Sequence, residues 1–207
     1  MPITPSGVST RRISASAKRG VANVTFAAAN IYQLPLPDSS FDAAFSCAVL
    51  QHLADPRLAL AEIRRVLTPD GVIGIVDGSS PLTFRYPTNP LLDTWDRLRA
   101  LQREYNTGRP SEMLQLRALL REAGFSRTEA SGTLATEAGG PAGSLEETRR
   151  AAQNDLIRLR GVLGELAIAQ GWVTSDELEQ IARALTAWGE ASDAFYARAT
   201  FTAIGWA

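Results

Sequence analysis

The chain has 207 residues, of which 45% are hydrophobic and 21% charged, so it is long enough for one domain with a buried core. Its formal net charge of −1, and the lack of any apolar run near the roughly 18 residues of a membrane span, argue against nucleic-acid and membrane partners. One cysteine and one histidine exclude an internal disulfide framework, leave few ligands for a metal site and favour a cytoplasmic protein.

The first predicted elements are a helix end over residues 9–19 and a strand over residues 21–26, which are apolar and β-rich. The segment Leu34-Pro-Leu-Pro37 continues neither element, because proline lacks the amide donor and biases its predecessor toward extended conformations. We predict a surface loop there. Residues 41–46 are short, mostly apolar and bounded by turn residues, which is typical of a buried parallel strand.

A helix and a second strand follow. Asp55 and Pro56 predict a helix start, with proline at the first helical position, and residues 68–71 predict its end. Residues 72–77 predict a buried strand, and Asp77 lies at its carboxyl end, where open parallel sheets bind ligands. The three prolines between Gly78 and residue 90 predict a loop over that site.

The rest of the pattern is mainly helical. Helices are predicted over residues 91–105, 111–124, 146–170 and 175–188. In the first of these, apolar residues recur on one face: Leu92, Trp95, Leu98 and Leu101. The glycine-rich residues 138–143 predict a turn or flexible loop. Strands are predicted near residues 125–133 and over residues 194–206, the second of them an antiparallel closing strand.

The segment from Asn30 to Leu53 contains Ser40-Phe41-Asp42 and Val49-Leu50-Gln51-His52-Leu53. It resembles the middle of a class I S-adenosylmethionine-dependent methyltransferase of the ubiquinone-biosynthesis-like branch. The resemblance covers about residues 12–135 and then the closing strand at 195–206. It implies an α/β fold with a Rossmann-like doubly wound sheet of strand order 3-2-1-4-5-7-6. It also implies one domain over residues 1–207, with an inserted helical cap over residues 140–192.

The same resemblance implies that S-adenosylmethionine is the cofactor. Asn30 stands where family members accept a hydrogen bond from the adenine amino group, and an asparagine carbonyl can still accept one. Ile31 matches the apolar neighbour that packs on adenine, although ordinary packing explains it equally well. Ser46, Cys47 and Ala48 match the place where backbone carbonyls pass beside the methionine part of the cofactor.

The candidate catalytic residue is His52, the histidine of the matched signature. It can serve as a base, since histidine titrates near neutral pH, or it can be a capping or packing residue. For a small-molecule acceptor, the candidate binding residues are Arg85, Tyr86 and Arg109. Packing of the loop is the more ordinary explanation for Arg85 and Tyr86, as an exposed loop position is for Arg109. The oligomeric state stays open.

The family's glycine-rich strand-loop is not found before Asn30. We therefore expect one of two arrangements. Either the chain is truncated, so that upstream residues with the central strands are missing and the chain is inactive alone, or the first strand pairs directly with its neighbour. The leading hypothesis is methyl transfer to an oxygen, nitrogen or carbon atom of a small molecule. The alternative is a non-catalytic methyltransferase-like partner or scaffold. A dinucleotide oxidoreductase is a weak third possibility, because it needs the same glycine loop.

Overall fold

The computed structural model describes residues 23–107, 113–138 and 145–207. In these ranges the chain forms a four-stranded sheet with six helices around it. The strands are β1 (Phe41–Cys47), β2 (Leu67–Tyr86), β3 (Arg127–Ala138) and β4 (Phe195–Trp206). The helices are α1 (Pro56–Val66), α2 (Pro90–Thr107), α3 (Leu116–Glu122), α4 (Leu145–Arg160), α5 (Val162–Ala169) and α6 (Ser175–Gly189). Single 3-10 turns precede α1 and α3, at Leu50–His52 and Met113–Gln115.

The strand order is β1-β2-β4-β3. Strand β1 is parallel to β2, whereas β4 is antiparallel to both β2 and β3. This order is the 4-5-7-6 half of the order that the resemblance implies, and the predicted α/β class is confirmed. The predictions of a parallel strand near residue 41 and of an antiparallel closing strand are also confirmed. The predicted burial of the parallel strand is wrong, because most of β1 is exposed and Phe45 is 71% exposed.

The strand predicted over residues 21–26 is wrong for the part that the structure describes. Residues 23–29 form neither helix nor strand, and the Val24 side chain is 47% exposed. A strand needs a neighbour for its backbone groups, and within the described ranges β1 pairs only with β2. The direct pairing of this segment with β1, one of the two expected arrangements, is therefore not formed.

Helix α1 begins where the sequence predicts. Asp55 is its N-cap, since Oδ1 of this side chain accepts hydrogen bonds from the amides of Arg57 (3.0 Å) and Leu58 (3.4 Å), and Pro56 is the first helical residue. Helix α1 ends at Val66, two residues before the predicted end signal begins.

The prediction of a loop after Gly78 is wrong, because strand β2 extends through this segment. The strand continues to Tyr86, and its residues from Thr83 onward pair with β4, after a register shift between Gly78 and Thr83. Pairing with residues more than a hundred positions away overrides the local proline signal.

The helix predicted over residues 146–170 is divided into two helices, α4 and α5, at Gly161. A Cβ at Gly164 would lie 1.9 Å from the Leu159 carbonyl oxygen, so only glycine permits this close turn.

The buried apolar residues form two clusters. The sheet cluster joins β1, β2, α1, α3 and β4, and its members are Leu50, Leu60, Ile63, Leu67, Ile73, Ile75, Leu116, Leu119, Leu120, Phe125 and Ala203. The helical cluster joins α2, α4, α5, α6 and the start of β4, and its largest members are Leu92, Trp95, Leu98, Leu159, Leu163, Ile181, Leu185, Trp188 and Tyr196. The predicted apolar face of α2 is thus confirmed as core.

Within the described ranges, no helix is both long and apolar enough to cross a bilayer. The predicted turn at residues 138–143 lies almost entirely outside those ranges.

Candidate functional site

The carboxyl end of β1 brings together three of the predicted cofactor residues. Ser46 is buried, and its Oγ has no hydrogen-bond partner within the part of the chain that the structure describes. Cys47, a free and exposed cysteine, pairs with Val76 across the parallel ladder. Ala48 then adopts φ of 53° while its amide donates to the Val76 carbonyl (2.9 Å). A non-glycine residue in the left-handed region is uncommon and is often held at a functional site.

Asn30 and Ile31 lie on a separate turn ahead of β1. The Asn30 side-chain carbonyl accepts the amide of Tyr32 (3.1 Å), and its backbone carbonyl accepts the amide of Gln33 (3.0 Å). Ile31 is partly buried against the sheet cluster. One acceptor position of the Asn30 side chain is therefore used by its own turn, which leaves one for a ligand. The adenine-binding role of both residues stays a prediction.

Asp77 fixes the turn that follows β1. Its side chain is 1% exposed, and Oδ2 accepts a hydrogen bond from the Leu50 amide (3.2 Å). Burial raises the pKa of Asp77 to about 6, against the opposing effect of the amides of residues 49–51. The middle of β2 thus holds the 3-10 turn that carries His52.

His52 is exposed, and its Nε2 lies 3.2 Å from Nε2 of Gln51. The Gln51 amide is oriented by Arg103, which donates to Gln51 Oε1 (3.1 Å), so the amide nitrogen faces the histidine and donates to it. Partial desolvation, and then the positive charge of Arg103, lower the pKa of His52. The ring is therefore neutral at pH 7, which is the form that a proton acceptor needs.

Beside this turn lies a cavity of about 370 Å³, which we call the arginine cavity. Four arginines line it: Arg99 and Arg103 from α2, Arg158 from α4 and Arg198 from β4. The other lining residues are Gln51, His52, Gln102, Asn106, Thr107 and Leu163. Of the predicted site residues that the structure describes, only His52 lines the cavity. The spacing of four between Arg99 and Arg103 was an available signal, because such residues share one helix face. Arg158 and Arg198 join them only through the tertiary fold.

Arg85 and Tyr86 lie in β2 and do not line the arginine cavity. The Arg85 side chain is 5% exposed and pairs with Asp155 (3.1 Å) and Asp96 (3.5 Å). Its guanidinium also lies 4.6 Å from the ring centroid of Trp188 and 4.4 Å from that of Tyr196. The predicted loop position of Arg85 is wrong, and its charge is already bound by the protein.

Tyr86 is 54% exposed, and its carbonyl accepts a hydrogen bond from Trp188 Nε1 (2.8 Å). The third residue predicted to bind substrate, Arg109, lies outside the described residues.

Comparison with known proteins identifies a family for the first part of the chain. Residues 4–75 match the family described as a methyltransferase domain. This match contains the Asn30 turn, β1, the His52 turn and the start of β2. A protein from transposon TN4556 of Streptomyces fradiae, described as uncharacterized, is 55% identical over 60 residues, which are 28% of this chain and 17% of that protein.

Several relatives have enzyme names. The ubiquinone/menaquinone biosynthesis C-methyltransferase of Hahella chejuensis is 37% identical over 70 residues, which are 34% of this chain and 26% of that enzyme. The O-methyltransferase cnsE of Penicillium expansum is 33% identical over 111 residues, which are 49% of this chain and 40% of that enzyme. The chain thus spans less than half the length of these relatives.

Among solved structures, that of the YcgJ protein of Bacillus subtilis is similar with a TM-score of 0.49 and 21% identity, over 93% of this chain and 75% of that one. The family match and the named relatives agree on one class of protein, although they cover only part of the chain. Through residues 4–75, the chain is therefore similar to the methyltransferase domain family.

Proposed function

We propose that the protein catalyses S-adenosylmethionine-dependent methyl transfer to a small-molecule acceptor. One observation carries the proposal: the segment matched by the methyltransferase family contains Gln51 and His52, which line a polar cavity. The named relatives include a C-methyltransferase and an O-methyltransferase, so the proposal leaves the methylated atom open.

The end of β1 fits a polar ligand such as the methionine part of the cofactor. The buried Ser46 hydroxyl lacks a partner among the described residues, and the backbone of Ala48 is held in the left-handed region. Asn30 and Ile31 would face the adenine, with the one acceptor position that Asn30 retains. When bound, S-adenosylmethionine supplies an electrophilic methyl group on a sulfonium.

The chain's own residues would position the acceptor and take its proton. Methyl transfer in line to a nucleophile requires chiefly orientation, so no catalytic triad is needed. We assign the base to His52, whose lowered pKa keeps the ring neutral at pH 7. Asp77 acts on His52 indirectly, by holding the amide of the Leu50 turn.

We further propose that helices α4, α5 and α6 form the cap over the acceptor, within one domain. Arg158 of α4 and Leu163 of α5 line the arginine cavity, so these helices supply one of its walls. A wall of this kind would limit access of water to the reacting atoms. In this reading Cys47, which is exposed at the end of β1, contributes backbone rather than its thiol.

The test is binding followed by turnover. S-adenosylmethionine is titrated calorimetrically into this chain and into the complete product of its gene, and we expect saturable binding by the complete product. Absence of binding to the complete product would overturn the enzyme proposal and leave the scaffold alternative. Binding by the complete product but not by this chain would show that the described part is inactive alone.

Turnover is measured as S-adenosylhomocysteine release against a panel of small acceptors. We expect His52→Gln to keep cofactor binding and to lower kcat by about 10²- to 10⁴-fold, as for the loss of a general base. The matched control is Asp193→Asn, at an exposed position that does not line the cavity. Equal kcat for His52→Gln and the control would remove His52 from the proposed mechanism.

A further inference from the structure

The arginine cavity combines high positive charge with small size. Its lining contains four arginines and one histidine, and none of its lining residues is a carboxylate. A second cavity of about 250 Å³ shares Arg99, Arg158 and Arg198 with it and adds Arg150, together with the carboxylates of Glu147 and Asp155. The positive charge is therefore concentrated in one region, although the chain as a whole has a formal net charge of −1.

Two of the four arginines are held in place by the protein. Arg99, 12% exposed, donates to Tyr196 Oη (3.0 Å) and lies 3.4 Å from Asp96 and 3.9 Å from Asp155. Arg103 donates to Gln51. These contacts fix the guanidinium groups before any ligand arrives, which lowers the entropic cost of binding.

The other two arginines, Arg158 and Arg198, are exposed residues of α4 and β4. Carboxylates also lie near this region. Asp96 and Asp155 are shared with Arg85 as well as Arg99. Burial lowers the pKa of Arg103, and repulsion by Arg99, Arg198 and Arg158 lowers it further, whereas Asp77 partly opposes them. An anion in the cavity would relieve this repulsion.

We propose that the arginine cavity binds the anionic group of the methyl acceptor, which is a small molecule that carries a carboxylate or a phosphate ester. Guanidinium groups match both anions through paired hydrogen bonds. The cavity volume is within the range of small-ligand sites and is too small for a polyanion. This inference rests on the proposed function in one respect, the identification of the bound anion as the methyl acceptor. That identification follows because His52, the assigned base, lines the same cavity.

The test uses three probes of matched shape on the full chain: phenyl phosphate, benzoate and neutral benzamide. Binding is followed by NMR through the ring signals of His52, which is the single histidine of the chain. We expect the two anions to shift these signals saturably, with an affinity that falls as salt is added, and benzamide to leave them unchanged. Tighter binding of phenyl phosphate would indicate a phosphate ester, and tighter binding of benzoate a carboxylate.

Arg158→Gln is the informative variant, because this exposed residue can be replaced without disturbing the core. We expect it to weaken anion binding by about ten- to hundredfold, as for one charge-assisted hydrogen bond. Arg158→Lys, which keeps the charge, should retain part of the affinity. The matched control is Arg183→Gln, an exposed helical arginine that does not line the cavity, and its affinity should be unchanged.

Equal affinity for benzamide and benzoate would overturn the inference. So would an equal loss of affinity in Arg158→Gln and Arg183→Gln. These measurements need no S-adenosylmethionine. If the cofactor titration showed no binding, the proposed function would be refuted, whereas the anion site would still be supported by its own measurements. Conversely, cofactor binding without anion binding would sink only this inference.

Discussion

Arg103 donates a hydrogen bond of 3.1 Å to the side-chain oxygen of Gln51, and this contact joins helix α2 to the turn that carries His52. The same guanidinium lowers the pKa of His52, together with the larger effect of partial desolvation. We therefore expect the His52 pKa to lie below its usual value of 6.5 and to rise in Arg103→Gln, because a positive neighbour is removed. An NMR titration of the single histidine measures both values, with Arg183→Gln as the control. A His52 pKa above 6.5 in the unmodified chain would contradict this prediction.

The buried carboxyl of Asp77 should make stability depend on pH. Its folded-state pKa of about 6 lies above the usual value of 3.8 for an aspartate, so the folded state binds more protons between these two pH values. The contribution of Asp77 to stability is therefore fully present below about pH 4 and is lost as the pH rises through 6.

Asp77→Asn removes this titration. Relative to the variant, we expect the unmodified chain to lose on the order of 3 kcal/mol in its free energy of unfolding between pH 4 and pH 7. Urea unfolding at several pH values measures the difference, and Asp193→Asn, at an exposed position, should show no comparable change. If the unmodified chain instead gained stability relative to Asp77→Asn as the pH rose, the folded state would stabilise Asp77 as a carboxylate, which contradicts the prediction.

Ala48 adopts φ of 53°, where a side chain with Cβ is strained. We expect Ala48→Gly to raise the free energy of unfolding by about 1 kcal/mol, since the relief of strain exceeds the entropy that glycine adds to the unfolded chain. Ala44→Gly, inside β1, should lower it by about 0.5 kcal/mol or more. Urea unfolding compares the two variants, and destabilisation by Ala48→Gly would argue against the left-handed backbone.

Arg85 should be one of the most important charged residues for stability. It is held by Asp96, Asp155 and two aromatic rings, with only 5% of its side chain exposed. We expect Arg85→Ala to destabilise the fold by about 3 to 5 kcal/mol, because two buried carboxylates lose a partner. Arg85→Lys should restore only part of this, since an ammonium does not stack between rings as a guanidinium does.

The control for Arg85 is an exposed ion pair, Arg149 with Glu190, which joins α4 to the end of α6. Arg149→Ala should have a much smaller effect on urea unfolding, since water solvates both of its charges when they separate. Similar losses for Arg85→Ala and Arg149→Ala would mean that burial does not decide the strength of these pairs.

Arg65 attaches the proline loop to α1. Its guanidinium donates to the carbonyls of Leu34 (3.1 Å) and Leu36 (3.0 Å) and pairs with Glu62, whose carboxylate also accepts the Leu34 amide (2.7 Å). We expect Arg65→Gln to speed hydrogen exchange at the Leu34 amide, because the loop loses several of its contacts. The neighbouring substitution Arg64→Gln is the control, and equal exchange rates in the two variants would contradict this role.

The elements that local pattern decides could be predicted from the sequence. The N-cap at Asp55 and the apolar face through Leu92, Trp95 and Leu98 are examples, because a few neighbouring residues determine each. The end of β2 could not be predicted, since the pairing of Thr83 with Arg198 depends on a distant strand. The arginine cavity was missed for the same reason, because its four arginines come from α2, α4 and β4.

The two apolar clusters share no residue, and only the long ribbon of β2 and β4 runs through both regions: Ile73 and Ala203 pack in the sheet cluster, and Tyr196 packs in the helical one. The helical cluster can therefore be repacked by mutation around α4, α5 and α6 while the sheet keeps its geometry. Helix α2 is the exception, because Arg103 holds the Gln51 side chain of the His52 turn. This separation provides evolvability, since a lineage could exchange one compound for another by altering Leu163 and its neighbours in the cavity wall.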